Sequence, residues 1–82
     1  MQSGKAKSYI SKYFVIAVKK LKTDGRIASQ NRFLSDYGYS KSLISHIEKG
    51  RQDVTLNFLY RVINDFRLNP AYFFGISEEL YR

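Results

Sequence analysis

The chain has 82 residues, room for one small domain. It contains no cysteine, which excludes disulfides and thiolate metal sites, so the 44% hydrophobic and 16% aromatic residues must supply the core. The formal charge is +7 and is unevenly spread: residues 1–52 carry 11 Lys/Arg against 3 acids, residues 53–82 only 3 against 4. The basic character sits in the half where a nucleic-acid footprint is expected; a merely soluble cationic surface is the alternative. No apolar run approaches the ~18 residues of a membrane span, and no signal-peptide core opens the chain. A cytoplasmic protein without a membrane partner is expected.

Residues 1–7 (MQSGKAK) are small and basic and predict a flexible arm. Such an arm either follows a DNA backbone or minor groove, or is a frayed terminus with no role. Helical spacing at Ile10, Phe14, Ala17, Val18 and Leu21 predicts a first helix from about Ser8 to Thr23. Lys12, Lys19, Lys20 and Lys22 take its other face. The β-branched run at 13–18 would also suit a strand, but the flanking lysines and the lack of a hairpin partner favour helix. Thr23-Asp24-Gly25 is the expected stop. Ile27, dropping into the core ahead of Ser29, predicts a hydrophobic staple and an N-cap for a second helix.

Apolar residues then fall at Phe33, Leu34 and Tyr37, and again at Leu43, Ile44 and Ile47, the spacing of two short amphipathic helices. Gly38 between them suits a left-handed turn, and Ser40 is the expected N-cap of the third helix. That helix turns Lys41, Ser42, Ser45, His46 and Lys49 to solvent, donors and short polar side chains with no acid before Glu48. Such a face suits a DNA groove, whose base edges offer hydrogen-bond acceptors and donors. Loop 51–54 leads to Thr55, the expected cap of a fourth helix reaching Asp65 or Phe66. Its predicted apolar stripe is Leu56, Leu59, Val62, Ile63 and Phe66. Asn69-Pro70 starts a short fifth helix that carries Tyr72, Phe73 and Phe74. The expected organisation is an arm at 1–7, one domain at 8–76 and a short tail at 77–82 with room for one more turn.

Taken in order, these residues resemble the helix-turn-helix of phage Cro- and repressor-type transcription regulators. The shared pattern is Ser29-Gln30, Gly38, Ser40 and Ile44-Ser45-His46-Ile47-Glu48-Lys49-Gly50. It continues through Thr55-Leu56, Leu59, Ile63 and Leu68-Asn69-Pro70 to Phe74-Gly75, without a gap. The resemblance implies an all-α, compact five-helix, lambda-repressor-like DNA-binding domain with a central helix-turn-helix. It implies that Lys41, Ser42, Ser45 and His46 read bases, and that Gln30, Arg32, Ser40, Lys49 and Arg51 hold phosphates. Lys41 suits guanine acceptors, and the serines pair with several base edges. His46, the one histidine, is read as a base or phosphate contact, with a neutral surface residue as the alternative. For Gln30 the alternative is an ordinary first-turn polar residue.

In such regulators the acid at Glu48 is internal and paired with a base of the first helix, here Lys20 or Lys22; the alternative is a plain surface ion pair. Tyr39 either packs over the turn or reaches a phosphate with its hydroxyl. The chain departs from the pattern twice. Leu34 stands where a small residue is usual, which predicts a splayed helix pair if it faces the third helix. Arg67 stands where Gly usually separates the fourth and fifth helices.

The expected function is sequence-specific binding of double-stranded DNA by a transcription regulator, of repressor type. One short helix reads few bases, so a homodimer on a pseudo-palindromic site is expected. The aromatic end (Tyr72, Phe73, Phe74, Leu80 and Tyr81) is either the dimer surface or core and capping. The alternative function is a protein-interaction module of antitoxin or anti-repressor type. RNA binding is disfavoured, since the chain has neither an aromatic β-platform nor a Gly-rich clamp. No Ser/His/Asp set, paired carboxylates or metal-ligand cluster stands out, so no enzyme, cofactor, metal or small-molecule substrate is expected.

Overall fold

A computed structural model describes the backbone of residues 2–82 and the side chains of residues 9–82. The role expected for a basic arm at 1–7 lies outside the described side chains. Four α-helices follow one another: α1 (Gln2–Thr23), α2 (Gln30–Asp36), α3 (Leu43–Glu48) and α4 (Leu56–Phe66). A 3-10 helix, Pro70–Phe74, comes after them. Among the described residues there is no strand, only a single bridge between Leu68 and Tyr81, so the protein is all-α. None of the described helices is long and apolar enough to cross a membrane. α1 starts ahead of the Ser8 expected for it, and the predicted fifth helix is a 3-10 turn.

The core is one cluster to which every element contributes. α1 buries Phe14, Val15, Ala17, Val18 and Leu21, and α2 buries Phe33 and Leu34. α3 adds Leu43, Ile44 and Ile47. Phe58 of α4 is 1% exposed and stands at the centre of the aromatic packing. Its ring centroid lies 5.1 Å from Phe14, 6.1 Å from Phe33, 5.2 Å from Tyr37 and 4.4 Å from Tyr39. Burying such a ring contributes about 1.5–3 kcal/mol from area alone, before the ring–ring terms. The predicted stripe of α4 therefore needs correction. Leu56 is 72% exposed, and the buried set is Phe58, Leu59 and Val62, with Ile63 and Phe66 packed against it. Seven apolar residues crowd this helix of 11, so more than one phase satisfies the periodicity, and the tertiary contacts choose.

The helix caps follow local chemistry. The Ser29 hydroxyl accepts a hydrogen bond from Arg32 N at 3.1 Å, and the Thr55 hydroxyl accepts one from Phe58 N at 3.1 Å. Asn69 Oδ1 accepts from Ala71 N at 3.1 Å and opens the 3-10 helix, with Pro70 first in it. All five helical segments close on a left-handed residue, a glycine in four cases and Arg67 (φ 55°) after α4. The tail forms no further turn. It runs back extended, Asn69 N donating to Leu80 O at 2.7 Å and Arg82 N to Arg67 O at 3.0 Å. Leu80 is sunk into the core at 2% exposure, which holds this return in place.

Candidate nucleic-acid interface

The region starts at Ser29, whose extended backbone (φ −160°, ψ 162°) lets its side chain cap α2. The turn after α2 is made at Gly38 (φ 83°), where Gly38 N donates to Ser35 O at 3.0 Å and Tyr39 N to Leu34 O at 2.9 Å. These paired bonds reverse the chain, and only a residue without a side chain adopts that φ without strain. Leu34 is fully buried, and both Tyr37 N and Tyr39 N donate to its carbonyl. The larger side chain is thus absorbed into the shared core with the turn bonds intact. Tyr39 stacks on Phe58, its ring 4.4 Å away at 27°, which selects the packing reading for this residue.

Ser40 is not the N-cap of α3. Its carbonyl accepts from Leu43 N at 3.2 Å, so the chain makes one more turn before the helix begins. Ser42 occupies the cap position, with no side-chain cap bond. The Ser40 and Ser42 hydroxyls instead meet at 2.9 Å. Lys41 and Ser42 therefore precede α3 rather than lying on it, and Ser45 and His46 are its outward residues. Lys41, Ser42, Ser45, Lys49 and Arg51 are exposed, His46 is half-buried, and Leu43, Ile44 and Ile47 face inward. Gly50 closes α3, with Arg51 N donating to His46 O at 2.9 Å, and sends Arg51 into the loop beyond.

Gln30 is the first residue of α2 and is half-buried. Arg32, two residues on, is exposed, with its Nε 3.4 Å from Asp36 Oδ1. That exposed i,i+4 pair contributes at most about 0.5 kcal/mol, too little to keep the guanidinium from a stronger anion.

Glu48 pairs with Lys19 at 2.8 Å, not with Lys20 or Lys22. Both side chains are about half exposed (55% and 44%), which makes this a surface ion pair. The reason is helix phase. Ser11, Val15 and Lys19 recur every four residues along the edge of α1 that faces Ile47, Glu48 and Gly50. A cavity of about 540 Å³ opens there, with Lys12 and Asp53 also at its margin. Ser11 was invisible as a site residue in the sequence, being a serine between basic stretches, yet it is 3% exposed and hydrogen-bonded to Asp53.

The described residues thus bring together a short, outward row of hydroxyls and cations over an apolar underside. Its chemistry is donation and charge, suited to an anionic, acceptor-rich partner. Among the described residues no group of His, Asp or Glu is placed to hold a metal ion. No family model, curated protein or solved structure matches this chain.

Proposed function

We propose that the protein is a sequence-specific regulator of transcription, of repressor type, that binds double-stranded DNA through a helix-turn-helix formed by α2 and α3. The observation that carries this reading is the division of residues 41–51. Three apolar side chains point into the core, while Lys41, Ser42, Ser45 and Lys49 stand outside with Arg51 beyond them. On this reading the domain is lambda-repressor-like and α3 enters the major groove. Lys41, Ser42, Ser45 and His46 read base edges, and Gln30, Arg32, Ser40, Lys49 and Arg51 fix the register on phosphates.

The DNA-bound form is a homodimer. Tyr72, Phe73 and Leu80 are buried in the monomer core, which leaves Phe74 (58% exposed) and Ile76 (79%) for a dimer surface. With Tyr9, Ile10, Tyr13 and Gly75, Phe74 lines an uncharged groove of about 400 Å³.

The deciding experiment is selection of bound duplexes from a random pool, followed by titration of the winners across salt. A two-fold-related motif whose preference persists at high salt is the expected result. Ser42→Ala or His46→Ala then costs about 1–3 kcal/mol at one or two base positions. Arg51→Ala weakens every duplex alike and lowers the salt slope by about one. Equal losses on all sequences for all three variants would sink the recognition role of α3. A protein-interaction module is the second reading, favoured by Leu56 and Tyr60, exposed one turn apart on α4. DNA-independent binding of a defined protein, with no duplex enrichment, selects it.

A further inference from the structure

Among the described residues Ser11 is the one polar side chain buried with the core. It sits on α1 and uses its hydroxyl fully. The hydroxyl donates to Asp53 Oδ1 at 2.9 Å and accepts from Val54 N at 3.1 Å, more than 40 residues along the chain. These two bonds reach the loop that carries Arg51 away from the end of α3. Beyond them the loop is held by the Arg51 N–His46 O bond and by Val54 packed against the core. Arg51, Gln52 and Asp53 are all exposed, and the cavity of about 540 Å³ lies against Gly50 and Asp53 where packing would otherwise hold them. A hydroxyl buried at 3% exposure almost always keeps a hydrogen-bond partner, and Asp53 and Val54 are the ones within its reach.

We infer that Ser11 and Asp53 form a latch that positions Arg51 on the DNA backbone, making both of them positioning residues for an interface neither touches. The inference rests on the DNA-binding reading above. A lone cation on a slack loop spends conformational entropy each time it meets a phosphate, whereas one on a fixed loop does not. The latch therefore acts on affinity and leaves base preference alone. It also links α1 to the interface through a second strap, parallel to the Lys19–Glu48 pair two helical turns along the same edge.

The test uses a charge-matched pair of variants at Asp53, which is exposed. Asp53→Ala and Asp53→Asn remove the same charge, but only Asn keeps an oxygen that accepts from Ser11. Exchange of the Val54 amide, which donates to Ser11, should be about tenfold faster in Asp53→Ala than in Asp53→Asn, the effect of one lost hydrogen bond. On the selected duplex Asp53→Ala should bind several-fold more weakly than Asp53→Asn, with unchanged base preference. Its salt slope should be smaller by less than about 0.9, the value for complete loss of one phosphate contact. In an Arg51→Ala background the difference between the two variants should vanish. Ser11→Ala, which removes both bonds, should act in the same direction as Asp53→Ala and at least as strongly. Equal exchange rates overturn the latch. A difference in affinity that survives Arg51→Ala overturns its action through that residue. Absence of duplex binding by the unaltered protein overturns the DNA reading and the role drawn from it, while the exchange rates still report whether Ser11 holds the loop.

Discussion

The protein uses one three-part clasp twice, in two settings. Tyr37 donates its hydroxyl to Asp65 Oδ2 at 2.6 Å, with the Arg61 guanidinium 4.9 Å over its ring. Tyr81 donates to Asp24 Oδ2 at 2.7 Å, with Arg26 5.0 Å over its ring. The first clasp joins the end of α2 to α4 beneath the candidate interface; the second ties the tail to the turn after α1. Their surroundings differ. The Tyr37 ring packs 5.2 Å from both Phe33 and Phe58 and is an extension of the core, whereas Tyr81 rides on an extended tail anchored by Leu80. The same polar chemistry therefore finishes a hydrophobic cluster in one place and closes the chain in the other. What each clasp is worth is set by the packing behind it.

The largest effect expected is loss of the ring behind the first clasp. Phe58→Ala should destabilise by about 3–5 kcal/mol in urea unfolding, since it leaves a cavity among four aromatic neighbours. Leu56→Ala, two residues away and exposed, should change stability by less than about 0.5 kcal/mol. Similar losses for both would reverse the phase of α4 and break the comparison. Next comes the anchor of the second clasp. Leu80→Ala should cost about 2–5 kcal/mol, at the lower end if the tail collapses into the space. If the tail and the interface are independent, the base preference of the surviving protein stays unchanged.

Deleting the hydroxyls sharpens the contrast. Both aspartates are exposed and regain water when the tyrosine becomes phenylalanine, so each bond is worth about 1 kcal/mol or less. Tyr37→Phe should cost more than Tyr81→Phe because its bond sits against the core. The pH profile separates them further. Burial, reinforced by Asp65, raises the Tyr37 pKa far above the usual tyrosine range, against the opposing charge of Arg61. Burial and then Asp24 raise that of Tyr81, against Arg26. A raised folded-state pKa means that the folded protein holds its proton where the unfolded chain has lost it. The stabilisation is complete below about pH 10 and is lost as pH climbs above that value. Urea unfolding across alkaline pH should show stability falling from there, less steeply in Tyr37→Phe than in the unaltered protein. Equal slopes would mean that Tyr37 titrates freely.

The parts of this architecture that read directly from the sequence are those fixed by neighbours in the chain. Ser29 and Thr55 cap the helices they were expected to cap, and Gly25 and Gly38 sit at the predicted breaks. Apolar spacing located α1 to α4. Where the reading missed, an extra local turn or a distant contact made the choice. Ser42 replaced Ser40 at the cap because an extra turn fits between Gly38 and α3. Lys19 replaced Lys20 or Lys22 because helix phase, not proximity in sequence, decides which lysine faces Glu48. Phe58 replaced Leu56 in a helix apolar on too many sides to be phased alone. The candidate site shows the same division. The outward row around α3 was legible as a run of donors, but Ser11 was not, since its importance depends on Asp53 and Val54 arriving from far along the chain.

Arg67 gives a small effect of opposite sign and the finest test of the two regions. Its backbone adopts φ 55°, ψ 52°, a left-handed conformation that strains a residue with a Cβ by about 1–2 kcal/mol. The strain persists because Leu68 N donates to Ile63 O at 2.9 Å and Arg67 O accepts from Arg82 N at 3.0 Å, so cap and tail hold it from both sides. Arg67→Gly relieves the strain and keeps both bonds, but frees the unfolded chain by about 0.4–1 kcal/mol. The difference is a net gain of about 0.5–1 kcal/mol, read as a rise in thermal midpoint. If Arg67→Gly lowers the midpoint instead, the arginine side chain contributes more to the closure than its strain costs. The C-terminal region would then be held by charge as well as by Leu80.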